Sequence, residues 1–279
     1  MTKQNDLSPR ANKQPPFNPV NAFLSFCQGM GKSFLDLFAS IGRLVLFTGH
    51  VLAHMATPPL YFKHLLKQFV VIGYYSLPVV GMTALFSGMV LALQSYTGFS
   101  RFNAEGAVAG VVVLSITREL APVLAGLMVA GRIGASIAAE IATMRVTEQI
   151  DALTTLSVNP IKYLVVPRVL AGIIMMPILV LIADVIGIMG GYIVGVHVLD
   201  FSAANYINQS WDFLETIDVV SGLVKASVFG FIVTLLGCYN GYNSGRGAQG
   251  VGAATTNAVV SASILILIFN YILTQVFFS

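Results

Sequence analysis

Four ionisable side chains, Arg118, Glu119, Asp184 and Lys225, lie inside otherwise uncharged apolar runs long enough to cross a bilayer. Charge at that depth is costly, so each should face a partner or a wetted cavity. Arg118 and Glu119 are chain neighbours and project about 100° apart on a helix, so each needs a partner from another element. Pairing of Lys225 with Glu119 or with Asp184 is the economical arrangement. Such a set could fix the register of packed helices or relay protons, and the two roles are compatible. Nothing else in the chain assembles into a reaction centre. His50 and His54 have the i, i+4 spacing of a metal pair, but no carboxylate or third His accompanies them. Cys27 and Cys238 lack metal spacing and read as reduced, small apolar side chains on the cytoplasmic side. Gly31-Lys32-Ser33 looks like the close of a phosphate-binding loop, yet Phe26 stands where the opening Gly is required, and no strand precedes it. The expectation is no metal, no cofactor bound by this chain and no covalent catalysis.

The elements that must hold these charges are hydrophobic throughout. Of 279 residues, 56% are apolar and only 10% charged, against roughly 25% charged in a soluble chain; mean hydropathy is +0.81. So few charges cannot cover a soluble surface, and the chain reads as an all-α integral membrane protein. A net charge of +3 is too small to imply nucleic acid. Residues 1–20 are polar and Pro-rich and read as a disordered cytoplasmic tail. Over 21–57 the polar residues Lys32, Asp36, Arg43, His50 and His54 fall within about 40° of one another on a helical wheel. A narrow polar stripe on an apolar helix predicts an amphipathic helix lying in the membrane interface.

Five transmembrane helices follow, at about 69–93, 106–131, 169–196, 219–240 and 252–278. Between them, 132–168 reads as a charged loop and 197–218 as a polar, acidic one. Basic residues orient the chain: 132–168, Arg246, Lys63 and Lys67 fall on the cytoplasmic side, and 197–218, which has no Lys or Arg, falls outside. The N-terminus is then cytoplasmic and the C-terminus external. Within 132–168, Glu148-Gln149-Ile150-Asp151-Ala152-Leu153 predicts a short helix starting near Thr147 as N-cap and ending before Pro160. Standing between spans 2 and 3, it is a natural docking element for a soluble partner. Gly187, Gly191 and Gly195 form overlapping GxxxG pairs, which predicts tight helix packing or self-association.

Several blocks together resemble the MlaE/YrbE permease family, the membrane subunit of ABC-type lipid transporters. They are Gly88–Gln94, Arg118-Glu119-Leu120-Ala121-Pro122-Val123, Ala130-Gly131-Arg132-Ile133-Gly134, Ala139-Glu140-Ile141, Met144–Leu153, Pro167-Arg168, Lys225–Phe229 and Gly250–Thr256. The resemblance covers about residues 60–279, a single permease domain. It implies a homodimer in the inner membrane of a Gram-negative-type bacterium, with two copies of a cytoplasmic ABC ATPase that bind ATP and Mg. It further implies a STAS-domain protein on that ATPase and a periplasmic MCE-domain hexamer. The cargo it implies is phospholipid, moved between inner and outer membranes to maintain outer-membrane lipid asymmetry. The coupling helix of the family maps onto about Thr147–Val158, with Glu148, Gln149, Asp151 and Leu153 facing a groove on the ATPase. Leu91, Gln94, Phe99 and Phe102 occupy the positions that line the lipid cavity between the two permeases. Arg118, Glu119 and Lys225 match charged intramembrane positions of the family. Two departures stand out: Ala253 where some members carry Arg, and Asn270 where some carry an acid. No ionic contact is carried over at either.

Two other functions fit the residues alone. In an ion-coupled secondary transporter, Asp184, Glu119 and Lys225 would relay protons, but no inverted repeat is visible. A membrane scaffold that only recruits partner proteins would need the docking helix and no bound lipid.

Overall fold

The computed structural model describes residues 19–55, 57 and 61–279, and the side chains of all of these except 19–30, 33, 36 and 37. Of the tail expected at 1–20, residues 1–18 lie outside the described residues, as do the side chains of Cys27 and Asp36, and residues 19 and 20 already belong to a helix. The chain divides into two units, Met1–Phe47 and Thr48–Ser279. Regular structure among the described residues is all helical. Six helices are long and apolar enough to cross a membrane, the first of them at Phe38–Met55.

Helix α1 runs over Pro19–Met55. Along its first unit both the stripe residues Lys32 and Arg43 and the apolar Phe34, Phe38, Ile41 and Val45 are exposed.

The span expected at 69–93 is broken in two. Helix α2 covers Phe62–Ile72, a 3-10 turn covers Tyr74–Ser76, and α3 covers Leu77–Phe99. Pro78 at the start of α3 supplies the reason, since it has no N–H with which to continue a helix from the preceding turn.

The second span is longer than expected. Helices α4 (Val108–Ser115), α5 (Ala121–Val129) and α6 (Ala135–Val146) join end to end through π turns at Ile116–Leu120 and Ala130–Gly134. The charged stretch from Arg132 to Arg145, expected as part of a loop, is therefore an extension of the helix. Charge does not end a helix, and no Pro falls inside that extension. The chain breaks only at Glu148, which takes the left-handed conformation at φ 58°.

Helix α7 (Gln149–Thr155) follows, with Glu148 rather than Thr147 at its N-cap position. The third long helix, α8 (Val166–His197), begins after a π turn at Ile161–Val165. The supposed outer loop also contains structure: α9 (Ala203–Phe213) is an 11-residue amphipathic helix. Helices α10 (Thr216–Tyr242) and α11 (Gly247–Phe278) complete the bundle.

Helices α8 and α10 form the centre, α8 packing on α3, α10 and α2, and α10 on α11 and α6. Backbones approach closely where glycines face each other. A Cβ on Gly88 would lie 1.9 Å from the carbonyl oxygen of Gly187, and one on Gly190 would lie 2.4 Å from that of Leu85. The GxxxG stripe of α8 is therefore occupied within the chain, by α3, by Val112 of α4 and by Tyr206 of α9. Self-association through that stripe is excluded by this packing.

Candidate functional site

The π turn at Ile116–Leu120 is where three of the four intramembrane charges, Arg118, Glu119 and Lys225, meet. Ala121 N–H bonds back to the carbonyl of Ile116, five residues earlier. Pro122 follows and has no N–H to give, so the carbonyl of Arg118 loses its α-helical donor. That donor is replaced from another helix: Lys225 Nζ donates to Arg118 O at 2.8 Å. The same ammonium donates to Glu119 Oε1 at 2.7 Å and to Thr274 Oγ1 at 2.7 Å. Lys225 is fully buried, and these three bonds use all three of its donors.

Glu119 is held from three sides. Besides Lys225, Thr274 Oγ1 donates to its Oε1 at 2.8 Å and Asn270 Nδ2 to its Oε2 at 2.7 Å. Asn270 thus supplies a hydrogen bond rather than an ionic contact. Arg118 turns the other way, as expected for a chain neighbour. Its Nε donates to Asp218 Oδ1 at 2.6 Å, and its guanidinium lies 4.3 Å from the centre of the Phe278 ring. Asn270, Thr274 and Phe278 recur at i, i+4 and i+8, one stripe of α11. Asp218 and Lys225 are seven apart on one face of α10, with Gly222 between them. A Cβ on Gly222 would lie 2.5 Å from the Thr117 carbonyl, so this glycine is what lets α10 reach the π turn. The set contains two cations and two carboxylates and is neutral as a whole.

Asp218, at the end of the stretch expected to be a polar, acidic loop, is the member of this network that the sequence analysis did not single out. It is fully buried, and it also accepts the Glu215 N–H at 3.0 Å in a reciprocal capping box at the start of α10. Two signals pointed to it: the Glu215-x-x-Asp218 spacing, and an Arg118 with no partner assigned. Asp184 does not join the network. It lies in a separate crevice, and its Oδ1 has no hydrogen-bond partner among the described residues.

Beside the network, a groove of about 490 Å³ runs between α3 and the π-turn helix. Leu91 and Gln94 line it with Val90, Leu120 and Leu124. Phe99 sits half-buried at the end of α3 and Phe102 is 79% exposed in the turn beyond. Neither lies on that groove. Leu120 follows Arg118 and Glu119 directly, so one turn of helix carries both network and groove wall.

At the opposite end, α7 hangs from one buried anchor, Ile150, with Glu148, Gln149 and Asp151 exposed and Leu153 half-buried. Its flanking helices are braced together. Arg168 NH2 meets Glu140 Oε2 at 2.9 Å and its NH1 donates to Leu164 O at 2.7 Å. Asn159 Oδ1 accepts from the N–H of Ile161 at 3.0 Å, capping the return into the membrane. No group of residues able to hold a metal occurs among the described residues. His54 Nδ1 instead contacts the His50 carbonyl at 2.7 Å, and its Nε2 contacts Asn159 Nδ2 at 3.0 Å.

Comparison with known proteins gives a consistent picture. A family model described as Permease MlaE matches residues 65–276. A probable ABC transporter permease protein of Rickettsia bellii is 63% identical, covering 91% of this chain and 98% of its own length. The intermembrane phospholipid transport system permease protein MlaE of Haemophilus influenzae is 35% identical over 91% of this chain and 98% of its own. The chloroplastic protein trigalactosyldiacylglycerol 1 of Arabidopsis thaliana is 34% identical over 84% of this chain and 67% of its own.

Proposed function

We infer, for a chain that belongs to the MlaE permease family, that it is the membrane subunit of an ATP-driven ABC transporter moving phospholipid between two membranes. The observation that carries this reading is the near full-length match to the Haemophilus phospholipid permease. The geometry supports it. The Leu91–Gln94 groove offers apolar walls for acyl chains, with one carboxamide for a headgroup. The exposed face of α7 offers a coupling surface to a cytoplasmic ATPase that carries ATP and Mg, while this chain catalyses nothing itself. The Arg168–Glu140 brace lets movement of α7 reach α6 and α8 as one body. The neutral network then keeps α10 and α11 in register with the π turn as the groove opens and closes.

In this reading two copies pair, the groove of each facing a shared chamber. A STAS-domain protein attends the ATPase and a hexamer of MCE-domain proteins covers the periplasmic face. Helix α1 lies in the interface of a bacterial inner membrane and five helices cross it, leaving the N-terminus cytoplasmic and the C-terminus periplasmic. Transport of this kind would maintain outer-membrane lipid asymmetry. A proton relay is disfavoured by one observation: Asp184 lines a crevice that neither Glu119 nor Lys225 lines, and it shares no hydrogen bond with their network.

The test is purification with native partners, followed by identification of the bound proteins and lipids. Phospholipid and an ABC ATPase are expected. Uphill lipid movement by the isolated chain in vesicles, with no companion and no nucleotide, would overturn the reading.

A further inference from the structure

A second cavity, distinct from the groove, opens between α4, α8, α9 and α10. It measures about 510 Å³ and its walls are almost wholly apolar, within the range of small-molecule sites. Four polar side chains bear on the argument. Thr117 Oγ1 donates to the Val113 carbonyl at 2.9 Å and Ser210 Oγ to that of Tyr206 at 2.8 Å, so each is satisfied by its own helix. Asp184 and Tyr206 are not satisfied. They are 5% and 3% exposed, and neither Asp184 Oδ1 nor the Tyr206 hydroxyl finds a hydrogen-bond partner among the described residues. Buried polar atoms left without partners are expensive, and two in one cavity call for a ligand that supplies them.

Their placement gives the shape of that ligand. The Tyr206 ring packs over Gly195 and its hydroxyl over Gly191. Asp184 lies seven residues before Gly191, two turns along the same face of α8, or about 10 Å. Helix α9 closes the end near Tyr206, so a second transmembrane helix could not run along α8 through the crevice without colliding with it. The long side faces outward from the bundle through Leu181, Val185 and Met189, which are 47%, 61% and 51% exposed. An elongated molecule can enter from the lipid on that side. No Lys, Arg or His lines the cavity, so a phosphate there would be buried without a counter-charge. Burial pushes the Tyr206 hydroxyl up to about 12, so it remains a donor.

We propose that this crevice binds an uncharged glycerolipid, one acyl chain lying along α8 and its hydroxyl and ester groups meeting Tyr206 and Asp184. The site is separate from the phospholipid groove and does not depend on transport.

Full-length protein in nanodiscs of phosphatidylethanolamine and phosphatidylglycerol, doped with a photoreactive diacylglycerol probe, provides the test. Labelled peptides are read by mass spectrometry. Labelling is expected on residues 181–192 and 206–214. It should fall about five-fold in Tyr206→Phe and in Asp184→Leu, the factor for one hydrogen bond of about 1 kcal/mol. It should disappear in Val185→Trp, which fills the mouth from its exposed side and leaves both polar groups in place. Labelling of α11 reports on folding in each variant, and Val185→Trp decides if either polar variant fails to fold. Equal labelling by a photoreactive phosphatidylglycerol would overturn the proposal. So would absence of labelling, indifference to all three substitutions, or a disulfide between two copies carrying Trp211→Cys.

Discussion

Lys225 is a donor with no slack, and the chemistry of Pro122 explains why. Removing the ammonium strands the Arg118 carbonyl, because the ring nitrogen four residues on cannot replace it. Glu119 keeps Asn270 and Thr274 and is 38% exposed, which softens the loss of its cation. Lys225→Ala is therefore expected to cost about 2–3 kcal/mol, seen as a lower melting temperature in detergent, and to weaken lipid transport. Exchanging the charges, Glu119→Lys with Lys225→Glu, should restore transport only in part, since a carboxylate at 225 cannot donate to the carbonyl. Transport at the wild-type level in both single variants would refute the pairing. A second variant isolates the backbone share: Pro122→Ala returns an N–H to the helix, so adding it to Lys225→Ala should recover about 1 kcal/mol. Asp218 carries two duties, cap and counter-ion. Asp218→Ala should thus lower the melting temperature more than Glu215→Ala, which removes only the cap.

Among the elements, α7 separates anchoring from presentation. Ile150 is buried while Asp151 is exposed and Leu153 half-exposed. Asp151→Arg together with Leu153→Asp should abolish co-purification of the ATPase and leave the melting temperature within a degree or two, as surface changes do. Ile150→Ser should instead destabilise the chain by about 2 kcal/mol. This short helix was legible in the sequence because Thr147, the acidic residues that follow it and Pro160 punctuate it, although the break itself falls one residue later, at Glu148. The long apolar helices were legible for a similar reason, as uncharged runs leave little choice in a bilayer. Their ends were not. Arg132, Glu140 and Arg145 resemble loop charges, whereas they decorate a helix that leaves the membrane without breaking. The π turns carry no compositional mark at all, and the two halves of the first span read as one run until Pro78 is weighed. Leu91 and Gln94 come together with Leu120 by packing between helices, which no local pattern records.

For the molecule as a whole, the parity of crossings is the sharpest test. Five crossings place the termini on opposite sides, and six, counting Phe38–Met55, place them together. Impermeant thiol labelling should reach a cysteine added after Ser279 only from the periplasm and one placed at Thr2 only from the cytoplasm; periplasmic labelling of both would mean six crossings. The glycine contacts between α3 and α8 imply that these two helices move as one, and Gly88→Ala should separate them, with loss of yield and stability. The helix from Glu105 to Val146 is different, because each π turn inserts one residue beyond what its spiral requires. Every such surplus offsets all that follows by about 100°. A surplus residue can migrate along a rod, vacating one turn and swelling the next, while the rod stays whole. Were the one at Ile116–Leu120 to pass a few positions onward, the rod would swivel locally, and Leu120 would leave the greasy wall as Glu119 let go of its lysine. A gate and its latch would then be two readings of one misfit in winding.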